Sequence, residues 1–202
     1  MARIALVASA AAPALAALLS CGLLAAQEPS PEEMQQAMAR WQEAMTPGEH
    51  HQLLERFVGD WDITVSVSGM GPEAQTSTGT VTARWVLGGR FVREEIEGEM
   101  MGMPMRSIAF YGYDNFRRMY TLTEMDNLAT ATQVAQGSLN QAGDVITYFG
   151  TMDEPMTGER GKTAKFVMRL VGPDTRVFEI HDLHIIPGDT KVVEVTYRRR
   201  RG

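Results

Sequence analysis

The sequence predicts an all-β domain, a closed antiparallel barrel of about ten strands preceded by a short N-terminal helix or two. Three observations in the 202 residues support this prediction. From Trp61 onward, apolar and polar residues alternate with a period of two. Turn residues separate the candidate strands at short, even intervals. No helical pattern of 10 to 15 residues falls between the strands, which argues against a parallel α/β sheet.

The N-terminal stretch is expected to be a signal peptide over residues 1–26. Met1-Ala2-Arg3 is a short positive segment, and Ile4 to Ala26 carry no charge. Small residues at Ala25 and Ala26 fit a cleavage site, after which the protein would be exported, periplasmic or secreted. The apolar run is also long enough for a retained membrane anchor, so that alternative stays open. After cleavage we expect no transmembrane segment.

Cys21 is the only cysteine and lies within this leader. Leu18-Leu19-Ser20-Cys21 loosely resembles a lipoprotein attachment sequence, although Leu19 fits that pattern poorly. We therefore expect simple cleavage of the signal peptide, with lipid anchoring through Cys21 as the weaker alternative. A mature chain without cysteine has neither a disulfide nor a thiolate metal ligand, so its core alone must hold it together.

Residues 27–46 are expected to form a linker with a short helix, and residues 47–202 the barrel domain. Four apolar residues recur at spacings of 4, 3 and 4, which places them on one helical face: Met34, Met38, Trp41 and Met45. Thr46-Pro47-Gly48-Glu49 then has the capping-box pattern, which predicts a second helix reaching about Phe57.

Ten strands are predicted after that helix. They lie at Trp61–Val67, Thr80–Leu87, Arg90–Glu97, Arg106–Tyr113, Arg118–Met125, Thr130–Ser138, Val145–Thr151, Ala164–Val171, Arg176–His184 and Lys191–Arg199. A sandwich would need long returns between sheets, which these short connections disfavour. Closure into a barrel also removes exposed sheet edges.

The net charge of −6 argues against a nucleic-acid partner, because phosphate contacts require a clustered basic face. The only basic run is Arg198 to Arg201 at the C-terminus, and we expect it to be a solvated tail. The sequence indicates no oligomeric state.

Gly59-Asp60-Trp61 resembles the Gly-x-Trp that opens the first strand of lipocalins. Further segments are similar in combination to a bacterial family, domain of unknown function 1579: Trp85 to Phe91, Gly98 to Gly102, Gly112 to Asn115, Pro155 to Gly158 and Val177 to Glu179. The resemblance covers roughly His50 to Arg199 and implies a lipocalin-like barrel. It implies no activity, since none is established for the family. His181 and His184 depart from its pattern, which weakens any family-wide role for them.

Carboxylates within strands are the first candidate site residues. Val92 and Ile96 flank Glu94 on one strand face, and Glu124 shares a face with Tyr120 and Leu122. A carboxylate facing the barrel interior must be paired, or its pKa must rise. A cross-strand ion pair of Glu94 with an arginine, such as Arg84 or Arg106, is the alternative reading.

Aromatic residues within strands supply the remaining candidates. Trp85, Tyr111 and Tyr148, with Tyr113 and Tyr120, could line an apolar cavity with a few polar handles, or could be ordinary core. The predicted ligand-binding set is Trp85, Glu94, Tyr111, Glu124, Tyr148 and His181.

The four histidines form no chelating pattern. His50 and His51 are adjacent on a helix, and His181 and His184 are three apart on a strand, so neither pair converges on one metal. His181 shares a face with Glu179, which is an acid/base couple if that face looks inward and a solvated pair if it looks outward.

Methionine is abundant, with 14 residues, four of them between Met100 and Met105. Thioethers are Cu(I) ligands. Flexible methionines also suit a lid over an apolar barrel mouth, and we expect that role here. No catalytic or phosphate-binding motif is present, so we assign no cofactor and no metal.

The sequence leaves four functions open. The first is an exported protein that binds a small hydrophobic ligand in the barrel. The second is an enzyme that acts on such a molecule with Glu94 or the Glu179/His181 pair as acid/base. The third is a haem or metal carrier with His181 as ligand, and the fourth is an interaction module with a solid barrel.

Overall fold

The computed structural model describes residues 29–69, 73–184 and 190–201. Ten antiparallel strands close into a barrel in which each strand pairs with its chain neighbours and the first pairs with the last. The strands are β1 Gly59–Val67, β2 Gln75–Val86, β3 Phe91–Met100, β4 Met103–Asp114, β5 Met119–Asp126, β6 Gln133–Leu139, β7 Val145–Glu154, β8 Glu159–Arg169, β9 Thr175–Asp182 and β10 Lys191–Arg199.

The predicted closed barrel is confirmed, and each predicted strand overlaps an observed one. The main difference is length, since β2 begins five residues earlier than predicted and β8 also begins five earlier. Both additions are polar segments, which lack the apolar alternation that marks a half-buried strand in the sequence.

The core lies inside the barrel because every strand turns alternate side chains inward. In β1 these are Trp61, Ile63 and Val65, all at most 5% exposed, while Asp62 and Thr64 are exposed. The same alternation places Val92, Glu94 and Ile96 of β3 inside.

The chain divides after Arg40 into two compact units. A helix, α1, spans Pro31–Met45 and crosses that division. Ser30 caps it reciprocally, because Glu33 N–H donates to Ser30 Oγ and Ser30 N–H donates to Glu33 Oε2, at 3.2 and 2.7 Å. The four residues of the predicted apolar face are all more than 40% exposed: Met34, Met38, Trp41 and Met45.

The predicted capping box does not form on Thr46 and Glu49. The second helix, α2, spans Glu49–Leu53 and has Gly48 as its N-cap. His51 Nδ1, rather than Glu49, accepts the Gly48 N–H at 3.1 Å. A 3₁₀ turn over Leu54–Phe57 follows and ends where the prediction placed it.

The 3₁₀ turn closes one end of the barrel. Leu54 and Phe57 are fully buried, and Trp61 Nε1–H donates to the Phe57 carbonyl at 2.8 Å. Arg199 lies over the Trp61 ring at 4.1 Å and donates to the Val58 carbonyl at 2.6 Å. The buried indole therefore has a cation over its ring face and an acceptor for its N–H, and it helps to close this end of the barrel.

The expectation of a solvated C-terminal basic tail is therefore wrong for Arg199. Arg200 and Arg201 also pair, with Asp62 at 2.5 Å and Asp174 at 3.0 Å. β10 closes the barrel against β1, which brings the basic run beside acids that are distant in sequence.

In the part of the chain that the structure describes, no helix is long and apolar enough to cross a membrane. The predicted signal peptide and Cys21 lie outside the described residues.

Candidate functional site

The barrel encloses a cavity of about 400 Å³ near the end opposite the 3₁₀ turn. Its walls are mainly apolar and come from β1, β3, β8, β9 and β10, through Ile63, Val65, Ile96, Phe166, Phe178, Ile180, Val193 and Val195. Tyr111 and Tyr197 lie at its inner part, and the segment after β5 contributes Leu128, Ala129, Ala131 and Thr132 at the mouth. Such a volume is in the range of small-molecule sites.

Small residues occupy several inward positions on neighbouring strands of the barrel. Ala135 of β6 pairs with Gly150 of β7, and Gly150 pairs with Ala164 of β8. All three lie at inward-facing positions, and Ala109 of β4 is another. A side chain at Gly150 would meet the Val134 carbonyl oxygen and Ala135, so the close packing of β6 against β7 requires a glycine there.

Glu124 is the acidic group that reaches the inner part of the cavity. It lines the cavity wall, and its Oε1 accepts a hydrogen bond from Ser107 at 2.9 Å. Burial raises the pKa of Glu124 to about 7, opposed by the Ser107 hydrogen bond and assisted by the nearby charges of Glu94 and Asp126. Near neutral pH this carboxyl is therefore present in both protonation states.

Glu94 lies in the same row of inward positions, because Glu94 pairs with Ala109 and Ala109 pairs with Glu124. Unlike Glu124, it is fully buried and contacts Arg176 of β9, with 2.5 Å between Oε1 and Nη2. Burial raises the pKa of Glu94, and the positive charge of Arg176 opposes that increase.

Glu94 does pair with an arginine, as the alternative reading expects, but that arginine is Arg176 of β9 and neither Arg84 nor Arg106. Arg84 pairs with Asp60 at 2.8 Å, and Arg106 pairs with Glu97 at 3.4 Å. Both arginines are on the outer face of the barrel, where they cannot meet an inward carboxylate.

Arg176 is the residue that the sequence analysis missed. Its guanidinium lies 4.0 to 4.8 Å from the ring centres of Phe57, Trp61 and Tyr197, and it is 1% exposed. The signal was present, because Arg176 shares a strand face with Phe178 and Ile180. An arginine in phase with an apolar strand face indicates an interior cation with a buried acid as its partner.

Several atoms of this buried cluster have no hydrogen-bond partner among the described residues: Glu94 Oε2, Arg176 Nε and Nη1, and the Tyr148 hydroxyl. Burial also raises the pKa of Tyr148 and of Tyr197. The predicted site residues Glu94, Tyr111, Glu124 and Tyr148 are thus brought into one interior region.

Trp85 lies apart from this region. Its indole Nε1–H donates to Glu55 Oε2 at 2.5 Å, beside the 3₁₀ turn at the closed end. The two helix histidines are near the same end, where His50 stacks on Tyr113 with ring centres 4.1 Å apart. His50 Nδ1 also lies 2.9 Å from the Tyr120 hydroxyl.

His181 lies on the outer face of the barrel, so it does not reach the cavity. Phe178 and Ile180 occupy the inward positions of β9, which leaves Glu179 and His181 on the other side. Glu179 Oε2 accepts from Arg169 at 3.2 Å and lies 3.4 Å from His181 Nε2. Burial alone would raise the pKa of Glu179, but these partners leave it lowered.

The methionine segment, which we expected to be a lid over the barrel mouth, is a tight hairpin. β3 ends at Met100 and β4 begins at Met103, with Met101 in the left-handed region at φ 54°. Met100 and Met105 line the cavity mouth, while Met101 and Met103 are nearly half exposed. Within the described ranges, no three His, Cys, Asp or Glu side chains are close enough to hold a metal ion.

Comparisons with known proteins agree with this architecture. Residues 46–199 match the family described as "Protein of unknown function (DUF1579)". The structure is similar to Rv2717c from M. tuberculosis, with 15% identity and a TM-score of 0.56 over 77% of this chain and 100% of that one. It is also similar to the S-type phycobiliprotein lyase CPES from Guillardia theta, with 13% identity and a TM-score of 0.52 over 80% and 97%. A comparison with curated proteins finds no match.

Proposed function

Since the chain belongs to the DUF1579 family of proteins of unknown function, we propose its role from its own cavity: it binds a small, largely apolar molecule inside the barrel. The observation that carries this proposal is the 400 Å³ cavity, which combines apolar walls with the polar groups of Glu124, Tyr111 and Tyr197. A few polar groups in an apolar site orient a ligand, whereas the walls provide most of the binding free energy.

The similarity to a phycobiliprotein lyase barrel adds support at the level of fold only. The haem or metal carrier with His181 as ligand loses support, because His181 lies on the outer face. The interaction module with a solid barrel also loses support, because that reading needs an interior filled by side chains.

A larger side chain in the cavity is expected to weaken binding. Val195 lines the cavity, and Thr196 beside it in β10 faces the other way. We expect Val195→Phe to weaken binding of 1-naphthylmethanol at least about tenfold, since the new ring takes ligand space and tenfold corresponds to about 1.4 kcal/mol. Thr196→Phe, the matched control, should change binding less than about twofold. The naphthalene fluorescence measures both. Equal affinity in all three proteins, or no binding to any, would contradict the proposal.

A second candidate function is acid/base catalysis on the bound molecule. The observation that favours it is the position of Glu124, which lines the cavity and whose burial raises its pKa to about 7, a value that suits proton transfer at neutral pH. Neither carboxylate named from the sequence suits this role as well, because Glu94 is held by Arg176 and Glu179 faces outward. Mass spectrometry of the molecule recovered from wild type and from Glu124→Gln distinguishes the functions. If the protein only binds the molecule, the molecule recovered from the two proteins has the same mass.

We also propose that the protein is exported and cleaved after Ala26. N-terminal sequencing of protein recovered from the periplasm of an expressing bacterium should begin at Gln27. A chain that begins at a lipid-modified Cys21, or one that retains Met1, would contradict cleavage at this position.

A further inference from the structure

The charged residues that line the cavity are all acidic. Three carboxylates line the cavity, Glu124 within the barrel and Asp126 and Asp153 nearer the mouth. No lysine, arginine or histidine is among the described residues that line it. An apolar cavity with only negative groups in its walls favours a ligand of opposite charge, because a low-dielectric surround strengthens the attraction.

The cations that face the barrel interior already have anionic partners. Arg176 contacts Glu94 at 2.5 Å. Lys162, on the inward side of β8, contacts Asp182 at 2.7 Å and Glu159 at 3.4 Å. These pairs leave Glu124 as the interior carboxylate without a cationic partner among the described residues.

Glu124 is placed to meet a ligand. Its Oε1 accepts from Ser107, and its second oxygen has no protein donor among the described residues. Around it are Glu94 of β3, Tyr111 of β4 and Gln133 of β6, and Asp126 follows on its own strand. The Gln133 amide is not aimed at it, since that amide donates to the Thr151 carbonyl at 2.8 Å.

Two buried tyrosines provide a second, independent feature of the same cavity. Tyr111 and Tyr197 line it and are 1% and 2% exposed. Neither hydroxyl has a hydrogen-bond partner among the described residues. A hydroxyl that lines a cavity without a protein partner is available to accept a hydrogen bond from a ligand, and an ammonium offers three donors to such oxygens. The rings of Phe166 and Phe178 add aromatic faces, which attract cations.

We propose that the cavity selects hydrophobic molecules that carry a positive charge, such as an amine, with the Glu124 carboxylate as the counter-ion. This inference rests on the proposed function, because it names the chemical class of the ligand that the barrel binds.

Three naphthalene probes that differ mainly in charge test the inference: 1-naphthylmethylamine, 1-naphthylmethanol and 1-naphthoic acid. At pH 8 we expect the amine to bind at least about tenfold more tightly than the alcohol, and the acid to bind most weakly. In Glu124→Gln the amine should lose this advantage while the alcohol binds as before. Glu99→Gln removes one charge from the outer side of β3 and should leave all three affinities unchanged.

The amine's affinity should also depend on pH. Glu124 attracts the cation only when it is ionised, and its pKa is about 7. The affinity should therefore fall about tenfold between pH 8 and pH 6 in the wild type and stay level in Glu124→Gln. The alcohol serves as the control, because its charge does not change.

The outcomes separate the two proposals. If no probe binds, the proposed ligand-binding function is wrong. If the alcohol or the acid binds as tightly as the amine, ligand binding stands and the preference for cations is wrong. If the amine preference persists in Glu124→Gln, the assignment of Glu124 as the counter-ion is wrong.

Discussion

Replacing Arg176 with methionine should lower the free energy of unfolding by about 3–5 kcal/mol, since removal of one partner leaves a buried charge uncompensated. Glu94 is fully buried and has Arg176 as its only ion-pair partner among the described residues. The change also removes the guanidinium from the rings of Phe57, Trp61 and Tyr197. Urea unfolding followed by circular dichroism measures the loss.

The control for this prediction is the double variant Glu94→Leu/Arg176→Met. It removes both charges together, so it should recover most of the lost stability. The loss in the single variant should also grow as the pH rises. Burial raises the pKa of Glu94, so in that variant the folded state favours the protonated carboxyl, and its ionisation at higher pH opposes folding. A loss below about 1 kcal/mol in the single variant, or a double variant as unstable as the single one, would contradict this account.

Trp61→Ala should be comparably severe, with an expected loss of about 3–5 kcal/mol for a buried aromatic truncated to alanine. The indole is 1% exposed, lies between Arg176 and Arg199, and donates to the Phe57 carbonyl. Trp41→Ala is the matched control, because Trp41 is 56% exposed on α1, and it should cost less than about 0.5 kcal/mol. Thermal or urea unfolding of both variants provides the comparison. Similar losses in the two would argue against Trp61 as the closure of the barrel.

Much of the fold could be predicted because strand alternation is local. The residues that flank Glu94 identify its inward face without knowledge of any other strand. Glu124 is identified in the same way by Tyr120 and Leu122. The ten strands could also be counted, because turn residues separate them.

Contacts across the barrel could not be predicted in this way. Arg176 lies 82 positions from Glu94, and their meeting depends on the stagger of strands that are not neighbours. The close packing of small residues on β6, β7 and β8 is equally non-local. Ala135, Gly150 and Ala164 are unremarkable in sequence, and only the strand register places them side by side.

The helix caps show a different limit of prediction from sequence. Both Ser30-x-x-Glu33 and Thr46-x-x-Glu49 match the capping-box pattern, yet only the first forms the reciprocal hydrogen bonds. At the second, the helix begins at Glu49, and the buried ring of His51 accepts the cap N–H. His51 packs edge-on against Tyr113 of β4, so tertiary packing selects the cap.

The central claim is that the barrel is hollow and takes one apolar molecule into its cavity. Isothermal titration of 1-naphthylmethanol at several temperatures tests it most directly, because burial of apolar surface on binding gives a negative heat-capacity change. We predict one molecule bound per chain, a negative heat-capacity change, and loss of that binding in Val195→Phe but not in Thr196→Phe. Several weak sites per chain, or heats that Val195→Phe leaves unchanged, would contradict it.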